Sequence, residues 1–159
     1  MALFRGTLPG FAERQRALVP IIRSMTHQTF LRNDTEYAWE YEPGEGGCDD
    51  VIRWRTLLSG EKTPTEGISM GTLEVPPGAT MVPHHHAPLE VYYVTSGEGR
   101  LLAGDTVRHL RAGDVAYIPA NQVHGIKNIG DHALTLVWMF STDTWSEIEY
   151  HDDQVPFTG

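Results

Sequence analysis

From Trp39 onward the chain is cut into short runs rich in β-branched and aromatic residues, each closed by Gly, Pro or Asp within a few positions. Such punctuation leaves no room for long helices and favours short strands joined by tight turns. The predicted strands cover 51–58, 68–75, 91–95, 99–103, 106–110, 115–118, 125–128 and 133–140, with hairpin signals at Ser96-Gly97, Gly104-Asp105 and Gly130-Asp131. Roughly eight short strands with regular turn signals predict an all-β sandwich or barrel. No βαβ alternation, glycine-rich phosphate loop or repeat of 20 to 50 residues is visible. Ahead of the strands, Phe11, Ala17, Leu18, Ile21, Ile22 and Met25 recur at spacings near three and four, and Pro20 can open a second helix. Short N-terminal helices are therefore expected within an extension over 1–38, followed by the barrel and a C-terminal segment over 39–159, all in one domain.

The run Pro83-His84-His85-His86-Ala87-Pro88-Leu89-Glu90-Val91-Tyr92 carries the chemistry. On a strand, alternation would put His84, His86, Glu90 and Tyr92 on one face and send His85 to the other. Two imidazoles and a carboxylate suit a divalent first-row transition metal and leave coordination positions open for a substrate. His124, on a later segment that could pair nearby, is a fourth candidate. His27, His109, His132 and His151 lack such support and are expected to be solvated or locally hydrogen-bonded.

A formal charge of −9 opposes binding to nucleic-acid backbones, which takes clustered Lys and Arg. Cys48 is the single cysteine, so no intramolecular disulfide can form, and a reducing, cytoplasmic setting is expected. No apolar stretch is long enough to span a bilayer, and residues 1–10 lack the pattern of a secretory leader. Glu40, Glu42, Glu45, Asp49 and Asp50 read as a solvated acidic loop, and Lys127 as an exposed charge. Apolar sheet faces and short helical extensions need burial, which predicts a homodimer.

Two longer spacings enclose the candidate ligands. The first is Gly78-x5-His84-x-His86-x3-Glu90-x6-Gly97 and the second is Gly113-x5-Pro119-x4-His124-x3-Asn128. Together they resemble the two motifs of the cupin superfamily. One departure is Asn121, where the second motif usually has Gly; Asn also tolerates a left-handed turn conformation. The resemblance implies a double-stranded β-helix, or jelly roll, with a metal inside one mouth of the barrel. It further implies ligation by His84, His86, Glu90 and His124 of one divalent transition metal ion per chain, with Fe(II) favoured and Mn, Ni, Co or Zn also suited to the donors.

A second layer of resemblance rests on Trp54-Arg55-Thr56-Leu57, Lys62-Thr63-Pro64-Thr65, Leu89 to Val94 and Phe140 to Tyr150. These segments are similar to those of small cupins related to dimethylsulfoniopropionate lyases, with a tyrosine two residues after the metal-binding Glu (Tyr92) and another near the C-terminus (Tyr150). The implied reaction is a β-elimination on a small-molecule carboxylate, giving dimethyl sulfide and acrylate. Tyr92, which shares a strand face with Glu90, is the first candidate for the base, and Tyr150 is the alternative or a substrate-positioning group. A tyrosine base would need a nearby cation to favour its ionised form. Trp54 and Trp138 could present aromatic faces to a sulfonium, or fill the core. An iron-dependent dioxygenase and a non-enzymatic small-ligand-binding cupin are the alternatives, because one fold carries many activities.

Overall fold

The computed structural model describes residues 29–41 and 51–157. The short N-terminal helices expected ahead of residue 29, His27, Cys48 and most of the acidic run lie outside these residues. Among the described residues the helical element is a single 3-10 turn, Asp34–Glu36. Asn33 caps it by accepting from the Thr35 amide at 3.0 Å, while Glu36 accepts from the Asn33 amide at 2.7 Å.

The rest is strand: β1 (Glu40–Tyr41), β2 (Arg53–Leu58), β3 (Ser69–Val75), β4 (Thr80–His85), β5 (Glu90–Ser96), β6 (Glu98–Ala103), β7 (Thr106–Arg111), β8 (Val115–Ile118), β9 (His124–Asn128), β10 (Leu134–Phe140) and β11 (His151–Asp152). They form two antiparallel sheets, a six-stranded one in the order β1-β2-β3-β10-β5-β8 and a five-stranded one in the order β11-β4-β9-β6-β7. From β3 to β10 the chain changes sheet at every junction except β6 to β7. That is the wiring of a jelly roll, with one face of each sheet turned onto a shared core.

Strict alternation of buried and half-buried residues in β3 and β10 shows the inward rows plainly. Val75, Val94, Ile126, Leu134 and Leu136 are buried to within 1 % of complete and form the centre of the core. The outward face of β2 and β3 carries charge: Arg53 pairs with Glu74 across the two strands, and the Arg53 and Arg55 guanidinium groups lie over the Trp39 ring at 4.5 and 3.9 Å.

Several expectations are corrected. Gly104-Asp105 closes a true two-residue hairpin between Ala103 and Thr106, with Gly104 at φ 62°. Ser96-Gly97 and Gly130-Asp131 instead carry the chain from one sheet to the other. A positive-φ glycine serves any sharp reversal, and the strands on either side decide whether a hairpin results. Strands β1 and β11 have no counterpart among the predicted strands, and β4 overlaps the histidine run only at Pro83, His84 and His85. Glu40 belongs to β1 rather than to a loop, where it accepts from Lys62 at 2.8 Å and from the Thr56 amide at 3.0 Å.

Candidate metal centre

The histidine run is not one strand. His84 and His85 end β4 and His86 follows it, whereas Glu90 opens β5 in the opposite sheet. Even spacing along a single strand therefore does not explain the grouping. The chain leaves one sheet at His86, reverses through Ala87, Pro88 and Leu89, and returns along the other with Glu90 facing the same interior. Within each strand the parity argument holds. His84 and His86 are buried while His85 turns outward, and Glu90, Tyr92 and Val94 form the inward row of β5.

His124 joins them because it opens β9, directly opposite His84 in the ladder. The loop before it is held by Asn121, whose φ of 60° occupies the left-handed region and whose amide donates to the His86 carbonyl at 2.9 Å. The departure from glycine at this position thus keeps the required turn.

His84, His86 and His124 are buried, and one nitrogen from each lies within 4.8 Å of the others. Each ring is fixed by its own backbone. Nδ1–H donates to the Val82 carbonyl from His84 (2.8 Å), to the Pro88 carbonyl from His86 (2.9 Å) and to the Gln122 carbonyl from His124 (2.8 Å). A carbonyl accepts only, so a neutral ring must carry its proton on Nδ1 and present the Nε2 lone pair to the interior. Burial, followed by the charge of His124, pushes His84 down to about 4 and keeps it neutral near pH 7.

Glu90 Oε2 sits 3.1 Å from His124 Nε2 and 3.3 Å from His86 Nε2. Burial alone would raise its carboxyl, but hydrogen bonding with His124 and His86 outweighs this and holds it below 4.5. Lone pairs of two rings and of a carboxylate cannot face one another in a dry interior without protons or a cation between them. A divalent cation among the three imidazole nitrogens would relieve this, with the Glu90 carboxylate beside it. The residues therefore fit a transition-metal ion, with His84, His86 and His124 as nitrogen donors and Glu90 within reach as the oxygen donor.

Around this centre the expected residues divide by depth. Tyr92 is 2 % exposed and shares the inward row of β5 with Glu90; burial, then the charge of Glu90, pushes its phenol well above the ordinary value of 10. Tyr150 lies at the mouth, 44 % exposed, with its ring 5.3 Å from His84 and 5.4 Å from His86. Trp138 is a core residue packed over Gly71 and beside Phe140, whose ring meets His86 edge-on at 5.0 Å. Trp54 faces inward from β2 and is half-buried, and its indole N–H has no hydrogen-bond partner among the described residues.

Trp145 links these aromatic residues; it lies inside the Phe140 to Tyr150 segment, but no spacing there marks it as a site residue. Its ring lies 5.7 Å from Trp54, 6.3 Å from Trp138 and 6.4 Å from Tyr150, and its Nε1–H donates to the Tyr150 hydroxyl at 3.2 Å. Its amide donates to Ser59 Oγ at 2.9 Å, tying the C-terminal segment to the loop after β2. Lys127 and His132 are exposed, as expected, and His109 contacts Glu98 at the surface. No helix among the described residues is long and apolar enough to cross a membrane.

The model of the cupin domain family matches residues 71–140. A dimethylsulfoniopropionate lyase of Ruegeria pomeroyi, DddW, is 32 % identical over 114 residues, covering 70 % of this chain and 74 % of the relative. An oxalate-binding protein of Thermotoga maritima is 30 % identical over 86 residues, covering 54 % and 71 %. Among solved structures, the polyketide cyclase RemF of Streptomyces resistomycificus superposes with a TM-score of 0.65 over 82 % of this chain and 89 % of its own, at 17 % identity, a likeness of fold alone.

Proposed function

The chain belongs to the cupin family, and on that premise we propose that it is a metal-dependent carbon–sulfur lyase, cleaving dimethylsulfoniopropionate to dimethyl sulfide and acrylate. The observation that carries this reading is the buried phenol of Tyr92, next to Glu90 on the inward row of β5 and with its ring 6.2 Å from that of His124, beside three inward-facing imidazoles. The lyase relative supplies the choice of substrate.

In a β-elimination the proton leaves the carbon next to the carboxylate and its electron pair forms the new double bond. The carbon–sulfur bond breaks with its electrons on sulfur, releasing a neutral sulfide. A divalent ion held by His84, His86, Glu90 and His124 would supply Lewis-acid stabilisation of the charge gathering on the substrate carboxylate. Tyr92 takes the proton in this reading. Its deep burial keeps it a neutral phenol while Glu90 carries uncompensated charge, so its basicity depends on how that charge is neutralised. Tyr150 covers the mouth and positions the substrate. Trp54 and Trp138 stand behind Trp145 in the aromatic wall, which offers a sulfonium about 0.5 to 2 kcal/mol of cation–π attraction.

Anaerobic loading with Fe(II), then headspace measurement of dimethyl sulfide, tests the reading. Release no greater than from the metal-free protein would reject it. Tyr92→Phe should lower kcat by about 10² to 10⁴, the usual worth of a general base, while metal content stays at the parental level. Oxygen uptake during turnover would favour a dioxygenase. The oxalate-binding relative favours a second reading, a non-catalytic binder of small carboxylates, which predicts saturable binding without product.

A further inference from the structure

His85, the member of the triplet that faces away from the centre, has a partner from the far end of the chain. Its Nδ1–H donates to Asp153 Oδ2 at 2.7 Å, and its ring stacks on His151 with centroids 5.0 Å apart and planes 25° from parallel. Asp153 also donates its amide to the Pro83 carbonyl at 2.7 Å. These contacts frame β11, which is two residues long and pairs His151 with His85 and Asp152 with His84. So short a strand has little ladder bonding of its own and depends on side-chain contacts to stay docked.

Tyr150 is the residue immediately before β11. Upstream, Ile148 is buried and its amide donates to the Trp145 carbonyl at 3.0 Å. Downstream lies the clasp of His85, His151 and Asp153, and farther on Phe157 packs toward Gly125, beside His124. Tyr150 itself is flanked by the exposed Glu149 and His151. Its seat over His84 and His86 is therefore set by anchors on both sides.

We propose that His85 and Asp153 are positioning residues whose hydrogen bond clasps β11 onto β4 and thereby seats Tyr150 over the three-histidine centre. The clasp gives the non-ligating histidine a function: one side of β4 supplies metal donors, and the other secures the residue that covers them. The proposal rests on the centre binding a metal, not on the lyase reaction.

Chelator-driven loss of Co(II) from the loaded full-length protein, followed by the Co(II) absorption band, tests it without turnover. Asp153→Ala should release Co(II) about fivefold faster than the parent, the factor that corresponds to one net hydrogen bond. Asp153→Asn keeps an acceptor for His85 and should stay within about twofold of the parent. In a Tyr150→Ala background, Asp153→Ala should add no further acceleration. The proposal is overturned if Asp153→Ala releases Co(II) at the parental rate, if its effect persists undiminished without the Tyr150 ring, or if the parent retains no Co(II). Should Asp153→Ala not fold, His151→Ala, which removes the stacked ring alone, carries the same expectations. Clasp-dependent release in a protein that forms no dimethyl sulfide would refute the reaction and leave the clasp standing.

Discussion

Gly71→Ala is the sharpest test of how the barrel makes room for its aromatic wall. Gly71 sits in β3 between Thr56 of β2 and Trp138 of β10. A Cβ added there would collide with the Arg55 carbonyl and with the Trp138 ring, including Cε2 at 2.6 Å. Neither obstacle is the loose end of a flexible side chain. Relief requires either opening the β2–β3 pair or turning a ring packed beside Phe140 away from its preferred rotamer. Overpacking costs about 1 to 3 kcal/mol and an off-rotamer ring about 1 kcal/mol more. Contacts this close put the overpacking in the upper half of its range, about 2 to 3 kcal/mol, and the reduced freedom of the unfolded chain returns about 1 kcal/mol, so the net loss is about 2 to 3 kcal/mol. For a domain of this size each kcal/mol lowers Tm by about 2 to 4 °C, giving a fall of about 4 to 12 °C by far-UV circular dichroism. Near-UV dichroism should change as well, because Trp138 moves. Gly78→Ala is the control: its φ of 76° strains any side chain, but nothing lies within 4 Å. It should cost about 1 kcal/mol and leave the near-UV spectrum alone. A Gly71→Ala melt within 2 °C of the parent, or no lower than that of Gly78→Ala, would falsify the packing argument.

Stripping the metal should lower Tm and reloading should restore it: an ion at about 100 times its Kd adds about 2.7 kcal/mol, or about 5 to 10 °C here. His124→Ala should abolish that gain and stoichiometric binding by elemental analysis. Burial alone would raise the Glu40 carboxyl, but the bond with Lys62 and those with Thr56 outweigh it and leave it below 4.5. A lowered folded value means stability that is present above the unfolded value and lost as pH falls through the folded one. Because the Lys62 side chain is 40 % exposed, Glu40→Gln should cost only about 0.5 kcal/mol at pH 7 by urea denaturation, with the gap closing in acid.

Strands β3 and β10 were legible because each is a short run of mainly apolar and β-branched residues bounded by turn residues, Pro76-Pro77-Gly78 after β3 and Gly130-Asp131 ahead of β10. β4 was legible only through the histidine run, since Pro83, His84 and His85 replace the apolar signal in its second half. Pro83 is tolerated there because the β4–β9 register is irregular between Met81 and His84, where no ladder bond needs its missing N–H. The donors could be read from ligand chemistry and motif spacing, although the single-strand picture behind part of that reading was wrong. The partners of Tyr150 could not. Trp145 meets it by a side-chain hydrogen bond inside an irregular segment, and the His85–Asp153 bond next to that segment joins positions 68 residues apart, so no local period encodes either contact.

The separation of the donors between two sheets gives the centre a mechanical character. His84, His86 and His124 belong to the five-stranded side and Glu90 to the six-stranded side. An ion bound to all four would rivet the two walls at one end of the barrel. Its radius and preferred bond lengths would then be felt as wall spacing, so ions of equal charge would leave the barrel mouth with different widths.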